Sequence, residues 1–163
     1  MNFNDIKNTI LQHAEQYSGA AKILFTVESL IEEQQIIERL TYPVFMDLTI
    51  DFIEKKFQQL KFANLDSLLI DLRFAKGYLA KQISAKQLED RRVIAWKLHD
   101  KLSNPAQYAQ RLTIGLLYPS ILDNQPDPSD QDTALGYILD YLSCINDELV
   151  ILYYWKLYKN LSN

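Results

Sequence analysis

Residue types that carry chemistry are scarce in this chain. Its 163 residues include one cysteine, two histidines, four glycines and five prolines. A single cysteine, Cys144, excludes an intrachain disulfide and fits a reducing compartment. Set among Tyr141, Leu142 and Ile145, it reads as a small buried hydrophobe rather than a nucleophile. So few glycines leave no Gly-x-Gly-x-x-Gly and no P-loop, so a Gly-rich phosphate cradle is excluded. Two histidines, one cysteine and no Glu-x-x-His pair leave no ligand set for zinc. No Ser/His/Asp constellation stands out either. No apolar run approaches the ~18 residues of a membrane span, and the polar N-terminus, with Asp5 and Glu15, does not resemble a signal peptide. These gaps read together as a cytoplasmic protein with no cofactor, no metal, no membrane contact and no catalytic residue.

What is present is a globular composition, 48% hydrophobic and 23% charged, in a length that suits one domain over residues 1–163. The charge is sorted along it. Residues 1–54 carry three basic and nine acidic side chains, residues 55–111 twelve and five, and residues 112–163 two and seven. The whole chain has a formal net charge of −4 and a pI near 5.2. Between 112 and 155 lie Asp123, Asp127, Asp130, Asp132, Asp140, Asp147 and Glu148 with no Lys or Arg. Such a field favours basic partners and repels nucleic acid. The basic middle third is expected to pair with the acidic thirds, within one molecule or in a second copy.

Period-2 alternation is absent, and helix-period stripes run through the chain. They predict an all-α bundle of about seven helices. The first runs from Asn4, as cap, to Tyr17; the second continues to Leu40. Pro43 opens the third, Asn64 caps the fourth, and Ser84 with Gln87 forms a capping box for the fifth. Asn104-Pro105 starts the sixth. Residues 119–132, with three further prolines and four Asp, read as one long irregular loop. From Asp132 the stripe Leu135, Ile138, Leu142, Ile145, Leu149, Leu152 keeps phase across Asn146, which predicts one continuous, central helix from 132 to 159. Glu28 and Glu32 share a face opposite their helix's apolar stripe and read as a solvated acidic surface. The C-terminal aromatics read as a mixed set, Tyr141 and Trp155 inward, Tyr137 and Tyr154 outward.

Two resemblances add to this. Arg92 and His99, seven apart and so on one side of a helix, resemble the loose Arg-x6-His ribonuclease motif of HEPN helical domains, although Val93 stands where that family has a polar residue. That resemblance implies Arg92 on a scissile phosphate and His99 in proton transfer. Without it, Arg91, Arg92 and Lys97 are the solvated face of their helix. The stretch Arg73 to Pro105, with Gly77, Ile83-Ser84, Leu88, Arg91 and Ala95-Trp96, resembles small immunity proteins of bacterial polymorphic and contact-dependent toxin systems. It implies a single-domain protein that neutralises one cognate toxin, often a basic nuclease. The acidic residues agree with this. The expected partner surface is Asp123, Asp127, Asp130 and Asp132 at the rim, with Tyr137 or Tyr141 nearer the centre. A third reading is a non-catalytic module that homo-oligomerises through its oppositely charged segments.

Overall fold

The computed structural model describes residues 1–123 and 127–161. Among them it is all-helical, without a strand, in ten helices. These are α1 (Phe3–Ala14), α2 (Lys22–Glu33), α3 (Ile36–Leu40), α4 (Tyr42–Leu60), α5 (Leu65–Leu79), α6 (Ala85–His99), α7 (Ala106–Gly115), α8 (Pro119–Leu122), α9 (Pro128–Ile145) and α10 (Asp147–Lys159). None is long and apolar enough to cross a membrane among the described residues.

Ten helices stand where about seven were expected, because local backbone chemistry cuts two segments that side-chain periodicity leaves whole and adds a short helix within the predicted loop. The second segment breaks at Gln34-Gln35, where Gln35 adopts a left-handed φ of 51°. The irregular loop shrinks: Pro119 starts α8 and Pro128 starts α9, each Pro in a first turn where its missing N–H costs nothing. Residues 124–126 of that loop lie outside the described residues. The long terminal helix is interrupted at Asn146, whose extended backbone (φ −175°, ψ 128°) ends α9 and caps α10. The break is one residue long, so the apolar stripe stays almost in phase through it. The first helix starts two residues earlier than expected, since Asn2 rather than Asn4 makes the capping box with Asp5.

The core lies around α9 and α10. Helix α10 packs on α9, α2, α4 and α1, and α9 packs on α7, α2 and α8. Leu135, Ile138, Leu139 and Leu142 of α9 and Leu149, Val150, Tyr153 and Leu157 of α10 are buried there with Phe45, Ile53 and Phe57 of α4. Tyr153 is buried among them, its hydroxyl 2.6 Å from Thr49 Oγ1. Tyr154, expected to face outward, is buried too; its hydroxyl donates to Gln34 at 3.1 Å. Cys144, expected inside, is exposed.

Helices α5, α6 and α7 form a second layer held by a polar cluster. Asp71 of α5 is fully buried and takes bonds from Arg91 Nε (2.6 Å), Gln110 Nε2 (2.6 Å) and Thr113 Oγ1 (2.7 Å). Arg91 is therefore an internal counter-ion and not part of a solvated face. Asn64 stands at the N-cap position of α5, but its amide reaches across to Gln110 Oε1 (3.0 Å) and Ala106 O (3.2 Å) instead of capping. The capping box of Ser84 and Gln87 forms as expected at the start of α6.

Candidate functional site

The acidic residues of the first and last thirds, a hundred positions apart in sequence, meet where α2 packs on α9. On α2, Glu28 and Glu32 are one turn apart. On α9, Asp132 and Asp140 are two turns apart on one face, with Gly136 between them and open space where its Cβ would be. Glu32, Glu38 of α3 and Asp132 line a groove of about 240 Å³ floored by Ile31, Ile37 and Leu135. Burial, then the charges of Glu32, Asp140 and Asp132, push the Glu28 carboxyl above its ordinary value. Like charges at close range cost energy when no cation compensates. Among the described residues none of Glu28, Glu32, Glu38, Asp132 and Asp140 forms an ion pair. On the same side of α2, one turn before Glu28, Phe25 is 47% exposed, its ring 6.2 Å from Tyr17.

The basic third does little to neutralise this face. Its cations pair with Asp51, Glu54, Asp71, Glu89 and Asp90, which belong to α4, α5 and α6. Among the described residues only Lys55 and Lys76 of that third reach carboxylates of the first third, and none reaches an acid of the last.

The expected partner residues are dispersed. Asp132 joins the groove. Asp130 is exposed in the first turn of α9, and with Asp123 acts through its charge on the Tyr42 phenol, which burial in the first place pushes far up. Asp123 also lines a separate cleft of about 660 Å³ with Pro43, Leu79, Ile83 and Leu122. Asp127 caps α9, taking bonds from Ser129 N (2.9 Å) and Oγ (2.8 Å) that hold its carboxyl below the usual carboxylate range. Tyr137, expected outward, turns into the α7–α9 contact. Its ring lies across Gly115, where a Cβ would stand 2.0 Å from the ring carbon Cε1, and its hydroxyl donates to Arg111 O. Tyr141 is half-buried, and its hydroxyl accepts from Arg111 Nε at 3.1 Å. The Arg111 guanidinium also lies 4.2 Å from the centre of the Trp96 ring.

Arg92 and His99 are each held by separate partners. Arg92 Nη1 donates to Leu117 O at 2.7 Å, and its guanidinium stacks 4.1 Å above Tyr118. His99 Nδ1 is 3.1 Å from the Asp100 carboxylate, and its ring packs edge-on to Trp96. Among the described residues no three His, Cys, Asp or Glu side chains are grouped so as to hold a metal ion.

The expected partner surface left out Glu38 and Asp140, although Asp140 stands among the acids of 112–155, and Glu28 and Glu32 read as a solvated acidic face, second in line as a partner surface to the 119–132 segment. The available signal was the eight-residue spacing of Asp132 and Asp140, which puts both on one stripe of α9. Which helix that stripe would face is not written in local spacing. No protein-family model, curated protein or solved structure matches the chain.

Proposed function

We propose that this chain is a binding protein that docks a basic protein partner on the acidic face of α2, α3 and α9. The partner class is the one implied by the likeness of Arg73–Pro105 to immunity proteins: a toxin, and among toxins a cationic nuclease. The single observation that carries the reading is the convergence of Glu28, Glu32, Glu38, Asp132 and Asp140 without a counter-ion among the described residues. A cationic partner relieves that repulsion, and long-range attraction speeds its arrival. Carboxylates spaced along a groove also imitate the phosphates a nuclease is built to receive. Phe25 supplies an exposed aromatic beside the charged set, of the kind that anchors interfaces. Asp123 and Asp130 extend the field around it. In this reading the chain acts by occlusion and carries no catalytic group.

The experiment is protection. The variable C-terminal domain of a large secreted protein encoded directly upstream is expressed in a bacterial host, with and without this chain. Growth is restored by the chain, and a variant with Glu28, Glu32, Asp132 and Asp140 all changed to Lys does not restore it. Absence of such a neighbour, or full protection by that variant, contradicts the reading. RNA cleavage by the purified chain, lost on His99→Ala, would instead establish the ribonuclease.

A further inference from the structure

The strongest cationic feature lies away from the acidic groove and plays no part in the proposed function. Helices α4 and α10 pack together, and their C-terminal halves enclose a cleft of about 190 Å³. Four lysines line it: Lys55 and Lys56 from α4, Lys156 and Lys159 from α10. Phe52, Leu152 and Trp155 form its apolar part. One carboxylate, Asp51, serves two of the lysines, at 2.8 Å from Lys156 and 3.5 Å from Lys55. Among the described residues Lys56 has a 3.4 Å bond to Gln59 and a position 5.9 Å from the Phe52 ring centre, and no ion pair. Lys159 is exposed and makes no ion pair among the described residues.

A helix C-terminus favours cations, which accounts for Lys156 and Lys159 taken singly. It does not account for two further lysines brought to the same cleft by another helix. Nor does it account for a tryptophan and a phenylalanine in the wall between them. Lysine is a compact point charge suited to phosphate, whereas planar two-point recognition of carboxylate calls for arginine, and the cleft has none. Aromatic walls accept the face of a base whatever its identity.

We propose that the α4–α10 cleft is a nucleotide site. The lysines take the phosphates, and Trp155 and Leu152, both only partly buried, take the base above the buried Phe52. With one Asp against four Lys, the cleft has the surplus positive charge that a nucleoside diphosphate neutralises, since one terminal phosphate alone brings about −2.

Titration of the full chain with ADP, pyrophosphate, adenosine and a single-stranded oligonucleotide tests this, followed by calorimetry and by tryptophan fluorescence. ADP is expected to bind saturably, to change the Trp155 emission, and to bind at least tenfold more tightly than pyrophosphate or adenosine. The double variant Lys56→Ala/Lys159→Ala, whose fold is checked by circular dichroism, is expected to lose ADP affinity tenfold or more. Trp96→Phe, remote from the cleft, is expected to keep both the binding and the emission change. Absence of saturable ADP binding, or equal binding by the double variant, overturns the proposal. Pyrophosphate binding as tightly as ADP overturns the role of the aromatic wall. An oligonucleotide binding tenfold more tightly than ADP, and lost in the same variant, replaces the nucleotide with a nucleic acid.

Discussion

Asp71 is the residue on which the second layer depends. Burial pushes its carboxyl up, and bonds from Thr113, Arg91 and Gln110 work in the opposite direction. Removing a buried charge strands its partner, at a cost of roughly 3–5 kcal/mol. Asp71→Ala is therefore expected to lose that much in urea unfolding, because Arg91 stays largely inside with no carboxylate. Replacing both, Asp71→Leu with Arg91→Met, is expected to cost less than the single change. At the acidic face, burial likewise pushes the Glu28 carboxyl up. Its pKa is raised in the fold, so the native state holds a proton more firmly than the unfolded chain does. Stability from this group is full below the unfolded value and is lost as pH rises through the folded one. Glu28→Gln should thus melt higher than the parent at neutral pH, and the advantage should vanish below about pH 4. A parent and variant with equal melting temperatures at neutral pH would mean that Glu28 feels no uncompensated field.

The apolar faces of the helices were legible at the level of elements, and the joints between them only in part. The helix-period stripes and the box of Ser84 and Gln87 are local patterns whose outcome depends on neighbours three or four residues away. They appear in the structure as the sequence implies. The Asn146 joint escaped because a single extended residue hardly disturbs a stripe, while its capping bond to Glu148 N, at 2.7 Å, is decided by that residue alone. Losing such a cap costs about 1 kcal/mol, which is the stability loss expected for Asn146→Ala in thermal unfolding. Tyr137 escaped for another reason. Its inward turn depends on Gly115, twenty-two residues earlier, leaving room for a ring between α7 and α9. Gly115→Ala should cost roughly 1–3 kcal/mol through overpacking, and Gly136→Ala, with open space at its Cβ, should be tolerated.

On the scale of the whole molecule, charge sorted along the chain becomes charge sorted in space, but along different lines. The sequence showed acidic ends around a basic middle. The fold joins α2 to α9 as an acidic face, and carries Lys156 and Lys159 of the acidic last third over to Lys55 and Lys56. Composition foretold that an acidic surface exists; only the packing of α2 against α9 selects its members, since long-range contacts leave no mark on local spacing. In the proposed function this face recruits a basic protein through its field. The most direct measurement is the association rate with the upstream-encoded toxin domain, in low and high salt, for the parent and for the variant with Glu28, Glu32, Asp132 and Asp140 changed to Lys. The association rate is expected to fall steeply with salt in the parent and to be at least tenfold lower in the variant. An association rate unchanged by either salt or the four reversals would contradict it.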